Sequence, residues 1–329
     1  MAGVFDPITI KGLTLKNRFV MPPMATHMAT EKGEVTDRHI KHYVTRADGG
    51  VGLIIVEHTY IAEDGKWSHK QLGIYDDTLI SGLKRLTQAI HHFDVKVILQ
   101  ITHAGSQATR IITGKQPAGP SNIPVSSNEE KPRPLTGIEI EDIVRSFQEA
   151  SRRAIEAGFD GVEIHGAHGY LLSQFISPLV NQRSDEYGLD LEGRLRLPLM
   201  TIAAVRSKIG MDVPLFYRFG ADDMVDGGLT FEEDKIIATR LEKAGVDVID
   251  IAGGIGGMGH QFKEQGYFVP VAQAIKETVN IPVIGIGNIT EAAYADRIVK
   301  EGKVDLVAVG RKLLSEPDFP NQAERELDA

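Results

Sequence analysis

The chain has 329 residues, 42% of them hydrophobic and 25% charged, an ordinary globular composition that excludes a disordered or fibrous chain. Lys and Arg total 36 against 45 Asp and Glu, a net charge of −9 without a basic tail, so nucleic acid is not an expected partner. There is no cysteine, which excludes disulfides, thiolate metal sites and a cysteine nucleophile, and fits a reducing compartment.

The start, Met1-Ala-Gly-Val-Phe-Asp-Pro, has no basic-then-apolar signal, and no apolar run approaches membrane-spanning length. The expectation is a cytoplasmic protein without a membrane partner. The first β segment is predicted over Arg18–Met24. A second, ending at Val56, follows the helix end at Ala47-Asp-Gly-Gly, and a third spans Val95–Ile101. The proline-rich stretch Asn122–Thr136 reads as a loop, part of a long excursion over about 103–137. Ile143, Phe147, Ala150 and Ala154 then recur at helical spacing within Ile138–Ala157. The fourth strand ends at His165, after Glu156-Ala-Gly. The polar, charged stretch Ser177–Leu197 reads as a second long loop.

The fifth segment is Val213–Phe219. The sixth ends at Ile251 after Lys243-Ala-Gly, the seventh is Ile281–Gly287, and the eighth ends at Val309 after Lys300-Glu-Gly. Four of the eight repeat one design, a helix ending at glycine and running straight into a β-branched strand buried on both faces. Eight such units in series predict one (β/α)8 TIM barrel over residues 1–329, not an open doubly wound sheet. In that fold the loops at about 103–137 and 177–197 lie on the catalytic face.

Chemistry-bearing residues gather where these strands end. His165-Gly-Ala-His168-Gly-Tyr170 leaves the fourth strand. Two histidines three apart can donate to one carbonyl oxygen while a nearby phenol delivers a proton; a metal pair or a structural histidine is the competing reading. Gln100 closes the third strand as an amide that either addresses a heterocycle's edge or pins a loop. Arg218, at the end of an apolar strand, needs a loop carboxylate or an anionic ligand. Gly285, Gly287, Gly310 and Arg311 follow strands seven and eight, where this fold grips phosphate, although tight turns alone would also call for glycine. Asp250-Ile-Ala-Gly-Gly-Ile-Gly-Gly-Met-Gly259 looks like a dinucleotide fingerprint but lacks the acidic residue at ribose distance, and reads as a loop open to a ligand. Met24, Met28, Tyr267 and Phe268 are core or ligand walls.

These residues together resemble the old yellow enzyme family of FMN-dependent ene-reductases. The resemblance runs from Phe5-Asp-Pro-Ile to about Phe319-Pro-Asn. It is carried by Leu15-Lys-Asn-Arg18-Phe-Val-Met-Pro-Pro-Met24, Gly52-Leu-Ile-Ile-Val-Glu57, Gln100 with His103-Ala-Gly105, and the His165 turn. Asn181-Gln-Arg183-Ser-Asp-Glu-Tyr-Gly188 and Gly310-Arg-Lys-Leu-Leu314 add to it. The resemblance implies FMN across the barrel mouth, with Pro22, Pro23, Met24, Ala25 and His58 along the flavin. Gln100 would meet its pyrimidine edge, Arg218 its N1–C2 side, and Gly287, Gly310 and Arg311 its phosphate. His165 and His168 match the pair that binds the substrate carbonyl, Tyr170 the proton donor, and His27 a substrate-contacting aromatic position. No metal is implied.

The implied reaction passes hydride from NADH or NADPH to the flavin, then from flavin N5 to the β-carbon of an activated alkene, while Tyr170 protonates the α-carbon. Ala25 stands where the family usually has Thr or Cys, which should alter the flavin potential. Leu189 and Gly193 replace the usual Gly and Asn. The start also resembles the barrel part of dienoyl-CoA and bile-acid reductases that continue into an iron–sulfur and FAD module. With no cysteine and an end at Ala329, direct hydride transfer from a nicotinamide is expected. The rivals are an amine dehydrogenase of the same superfamily, which tends to have Tyr at the position of His165, and a flavin-binding redox protein without an organic substrate. Homo-oligomerisation is left open.

Overall fold

The computed structural model describes residues 2–126, 130–257 and 262–328. The repeated turn from helix into strand takes the left-handed backbone that only glycine adopts cheaply, at Gly50 (φ 92°), Gly158 (φ 86°), Gly245 (φ 105°) and Gly302 (φ 71°). In the first repeat it is therefore the second glycine of the pair, not Gly49, that makes the turn. The strands that follow are β1 (Phe19–Met21), β2 (Leu53–Tyr60), β3 (Lys96–Thr102) and β4 (Gly161–Gly166). They continue as β5 (Leu215–Gly220), β6 (Val248–Ala252), β7 (Val283–Gly285) and β8 (Leu306–Ala308). All pair in parallel in chain order, and β8 pairs back onto β1, so the expected eight-stranded barrel closes as one domain.

The outer helices are α1 (Asp37–Asp48), α2 (Ile80–His91), α3 (Gly137–Glu156), α4 (Leu191–Ile209), α5 (Phe231–Lys243), α6 (Val269–Lys276), α7 (Ala292–Lys300) and α8 (Phe319–Leu327). Thr136 opens α3 with a reciprocal capping box to Glu139. Outward strand residues such as Val97, Leu99, Val162 and Ile164 join Leu86, Ile90 and Phe147 of the helices in one apolar layer. Inward residues near the strand starts, among them Val20, Ile55, Ile98 and Phe216, fill the lower barrel. A hairpin of Ile8–Ile10 and Leu13–Leu15, unforeseen in the sequence reading, adds Ile10 and Leu15 to that inner cluster. Above this plug the inward positions turn polar, which places the chemistry at the C-terminal rim.

Two expectations need correcting. The loop predicted to reach Leu197 ends at Asp190, whose carboxylate accepts from Gly193 N at 2.9 Å and opens α4 at Leu191. Charged residues and Pro198 made this helix start look like loop, yet Arg194 is buried and bonds the Ile176 carbonyl and Glu233. The stretch 103–137 also carries the short helix Arg110–Thr113 and a two-residue pairing of Ala118–Gly119 with Arg133–Pro134. Among the described residues, no helix is long and apolar enough to cross a membrane.

Candidate active site

The rim begins with the segment after β1. Thr26 fixes it, its backbone N–H and hydroxyl donating to the two Glu57 oxygens at 3.0 and 2.6 Å. His39 of α1 adds a contact to Glu57 at 3.0 Å. Burial opposes the Glu57 charge, but the His39 and Thr26 hydrogen bonds outweigh it and hold the carboxyl below its ordinary value. Pro22, Pro23, Met24 and Ala25 precede this anchor, and the exposed His27 follows it with a contact to Ser68 Oγ at 3.2 Å.

A β-bulge between Val56 and Thr59 interrupts β2 at Glu57 and His58. Bulges re-aim side chains beside functional sites. Here Glu57 goes to α1, while His58 comes within 5.5 Å of the Tyr170 ring, centroid to centroid. Gln71 Nε2 donates to His58 Nδ1 at 2.7 Å, and burial lowers the His58 pKa to about 4, so its ring is neutral with the proton on Nε2.

At the end of β4, His165 Nδ1 accepts the Ala167 N–H at 3.2 Å. Burial holds His165 well below its ordinary pKa, so this ring too is neutral and carries its proton on Nε2, which meets His168 Nδ1 at 3.3 Å. His168 takes a left-handed φ of 58° to reach that position. The Tyr170 ring stands edge-on to His165, 4.9 Å between centroids, and burial pushes its phenol above the usual range. Trp67, from the loop after β2, closes the group at 5.7 Å from His27, 5.6 Å from His58 and 6.4 Å from Tyr170. The sequence reading passed over Trp67; its signal was to be the chain's single tryptophan, placed just past a strand end.

Beside this cluster lies an open cleft of about 730 Å³. Pro22, Pro23, Met24, Arg218, Gly310 and Arg311 line it, His168 reaches its edge, and Tyr267 and Phe268 are walls. Ala25, His27, His58, Gln100, His165 and Tyr170 are outside its lining. Gly287 is also outside: a Cβ there would stand 2.8 Å from Tyr267 N and 2.9 Å from Phe268 N, so backbone packing accounts for that glycine.

Arg218 meets Asp250, a carboxylate on the neighbouring strand, where the sequence left a loop carboxylate or an anionic ligand open. Its Nε remains buried without a partner, as does Gln100 Oε1, while Gln100 Nε2 donates to Glu163 at 2.8 Å. A buried donor and a buried acceptor left over at the rim fit the edge of a flavin ring. Gly310 lies on the cleft lining beside Met24, whose Sδ would stand 3.3 Å from a Cβ added there. Arg311 is exposed and bonds Asn288 Oδ1 at 3.0 Å. Among the described residues, no group of three or more His, Asp or Glu is arranged to hold a metal ion.

The segment read as a glycine-rich loop begins as the end of β6 and turns at residues 253–257; Gly259 lies outside the described residues. Asp223, another residue the sequence reading missed, ties this turn to two others. Its carboxylate accepts from Ser177 Oγ at 2.6 Å, Leu229 N at 3.1 Å and Ile255 N at 2.9 Å.

The NADH:flavin oxidoreductase / NADH oxidase family model matches residues 3–329. The chain is 46% identical over 329 residues to an NADH oxidase of Thermoanaerobacter brockii, covering 98% of this chain and 50% of that protein. It therefore spans half the length of that relative. It is 42% identical over 325 residues to an NADPH dehydrogenase of Geobacillus sp. (strain WCH70), covering 98% of this chain and 94% of the other. The solved old yellow enzyme homologue from Zymomonas mobilis superposes with a TM-score of 0.86 at 27% identity, over 99% of this chain and 93% of that one.

Proposed function

The chain belongs to the NADH:flavin oxidoreductase / NADH oxidase family, with FMN as cofactor and NADH or NADPH as reductant, and from that premise we propose that it reduces the C=C bond of small activated alkenes such as enones, enals or enoates. The observation that carries this reading is the trio His165, His168 and Tyr170 beside the cleft, since holding a flavin requires none of them. When bound, FMN supplies the hydride chemistry.

The chain's own residues supply the rest. Pro22, Pro23, Met24, Ala25 and His58 would flank the flavin, Gln100 and Arg218 would meet its polar edge, and Gly310 and Arg311 would hold its phosphate, with Gly287 shaping the turn behind. The His165–His168 pair would hold the substrate's carbonyl oxygen, where negative charge grows as the alkene is reduced. A neutral imidazole donor suits that task without presenting a cation to the oxidised site. Tyr170, protonated throughout the neutral range, would give its proton to the α-carbon. His27 and Trp67 would form the aromatic wall against which a planar conjugated substrate lies.

Stopped-flow measurement of the two half-reactions tests this. Tyr170→Phe should leave reduction of the bound flavin by NADH or NADPH nearly intact and slow reoxidation by cyclohexenone by roughly 10²-fold or more. Reoxidation by a quinone or oxygen, which needs no carbon protonation, should be spared. If wild-type protein passes electrons only to quinone or oxygen, the redox-protein reading replaces this one; turnover of an amine would favour the dehydrogenase.

A further inference from the structure

Directly beneath the cleft, four adjacent strands each contribute one polar side chain to a single layer: Gln100 of β3, Glu163 of β4, Arg218 of β5 and Asp250 of β6. Gln100 is in register with Glu163, and Asp250 with Arg218. None is more than 4% exposed. Arg218 Nη1 donates to Asp250 Oδ2, Gln100 Nε2 donates to Glu163 Oε1 at 2.8 Å, and the Glu163 and Asp250 carboxyls are close enough for each to act on the other's ionisation. One oxygen on each acid, Glu163 Oε2 and Asp250 Oδ1, is buried without a donor.

Two neighbouring buried carboxylates with one cation to serve both are unstable in a layer that excludes water. A single proton held by the pair removes the repulsion and supplies a donor where the orphan oxygens have none. Asp250 already faces the guanidinium, whereas Glu163 receives only a neutral amide, so the proton belongs on Glu163. We propose that Glu163 is a positioning residue that stands as the neutral acid and donates its proton to Asp250, so that Asp250 aims Arg218 at the cleft and the layer carries no net charge.

Other observations agree. Burial, followed by the Asp250 charge, pushes the Glu163 carboxyl well above its ordinary range; burial also raises Asp250, but Arg218 opposes it. His165, in register with Arg218 on the adjacent strand, is neutral. Below the layer the barrel is filled by apolar side chains such as Ile98, Phe216 and Ile284. Among the described residues the charge on Arg218 is paired with Asp250 alone, and an ionised Glu163 would leave a surplus negative charge under the flavin. The consequence for the cofactor rests on the reading that FMN lies over Arg218; the proton on Glu163 does not.

Infrared spectroscopy of the purified protein near neutral pH tests the proton. A carboxylic-acid C=O band should shift when glutamate carboxyls are labelled with ¹³C and vanish in Glu163→Gln. Its absence from wild type overturns the proposal, whether or not FMN is bound and whether or not any variant folds. The midpoint potential of bound FMN tests the charge. A glutamine at 163 can donate to Asp250 and accept from Gln100 just as the neutral acid does, so Glu163→Gln should leave the potential where it is. Asp250→Asn removes a real charge and should favour reduced over oxidised flavin by roughly tenfold. If Glu163→Gln raises the potential as Asp250→Asn does, Glu163 was a carboxylate and the proposal falls. A protein that takes up no FMN refutes the cofactor placement, while the infrared band still decides the protonation.

Discussion

His165 Nε2 and His168 Nδ1 face each other at 3.3 Å, and the Ala167 N–H on the far side of the His165 ring makes His165 the donor of that pair. The second imidazole is therefore oriented by the first before any substrate arrives. His165→Ala should lose both the donor and this orientation, lowering enone turnover by about 10²–10³-fold, the cost of one such donor. Binding of a phenolic ligand should weaken in parallel, as read by titration of the flavin absorbance. Unchanged phenol affinity would remove His165 from the oxygen site.

Trp67 is the chain's only tryptophan, so its emission reports directly on the aromatic wall. A planar enone or phenol seated against His27 and Tyr170 should change that emission as it binds. Trp67→Ala should weaken bulky aromatic enones more than cyclohexenone, because only the larger ring reaches the indole, by about 1–2 kcal/mol of lost contact. Equal losses for both would place Trp67 outside the pocket.

Asp234, in the first turn of α5, accepts the Asp222 N–H at 3.0 Å through one oxygen, while the other is buried without a partner. Burial raises its pKa from 3.8 to about 8. The folded state therefore holds a proton that the unfolded chain releases. Its contribution to stability is complete below the unfolded value and is lost as pH rises toward the folded one. Asp234→Asn should be more stable than wild type at pH 8, with the advantage shrinking toward pH 4, as thermal melts across that window would show. A constant difference at every pH would refute the shift.

Leu189 holds a left-handed φ of 66° and is 74% exposed. No packing compensates the strain, so Leu189→Gly should raise stability by roughly 0.5–1 kcal/mol after the entropy cost of glycine is subtracted. An unchanged melting temperature would show that the loop has no strain to relieve. The neighbouring Gly193 is less free to change, since a Cβ there would meet the Gly188 carbonyl oxygen at 2.0 Å.

The barrel was legible because its signals are local: a helix, a glycine, then a short apolar strand that needs no partner to be recognised. The rim residues His165, His168, Tyr170 and Arg218 were legible for the same reason, as polar groups stranded at the ends of apolar runs. Pairings were not. That Arg218 meets Asp250 follows from strand register, and that Glu57 turns outward while His58 turns inward follows from a bulge; neither leaves a mark on composition. Gly287 carries an ambiguous signal, because glycine serves close backbone packing as readily as a phosphate turn. Trp67 and Asp223 sit on loops without periodicity, where only the folded chain shows what they touch.

The three bonds of the Asp223 carboxylate come from segments after β4, β5 and β6, which are separate in sequence but share this one latch. Their thermal opening is then a single cooperative event rather than three independent fluctuations, and the amides of Leu229 and Ile255 should exchange with solvent hydrogen at a common rate. Changing Ser177, on a third segment, would loosen both at once, so that three of the eight rim segments breathe as a unit.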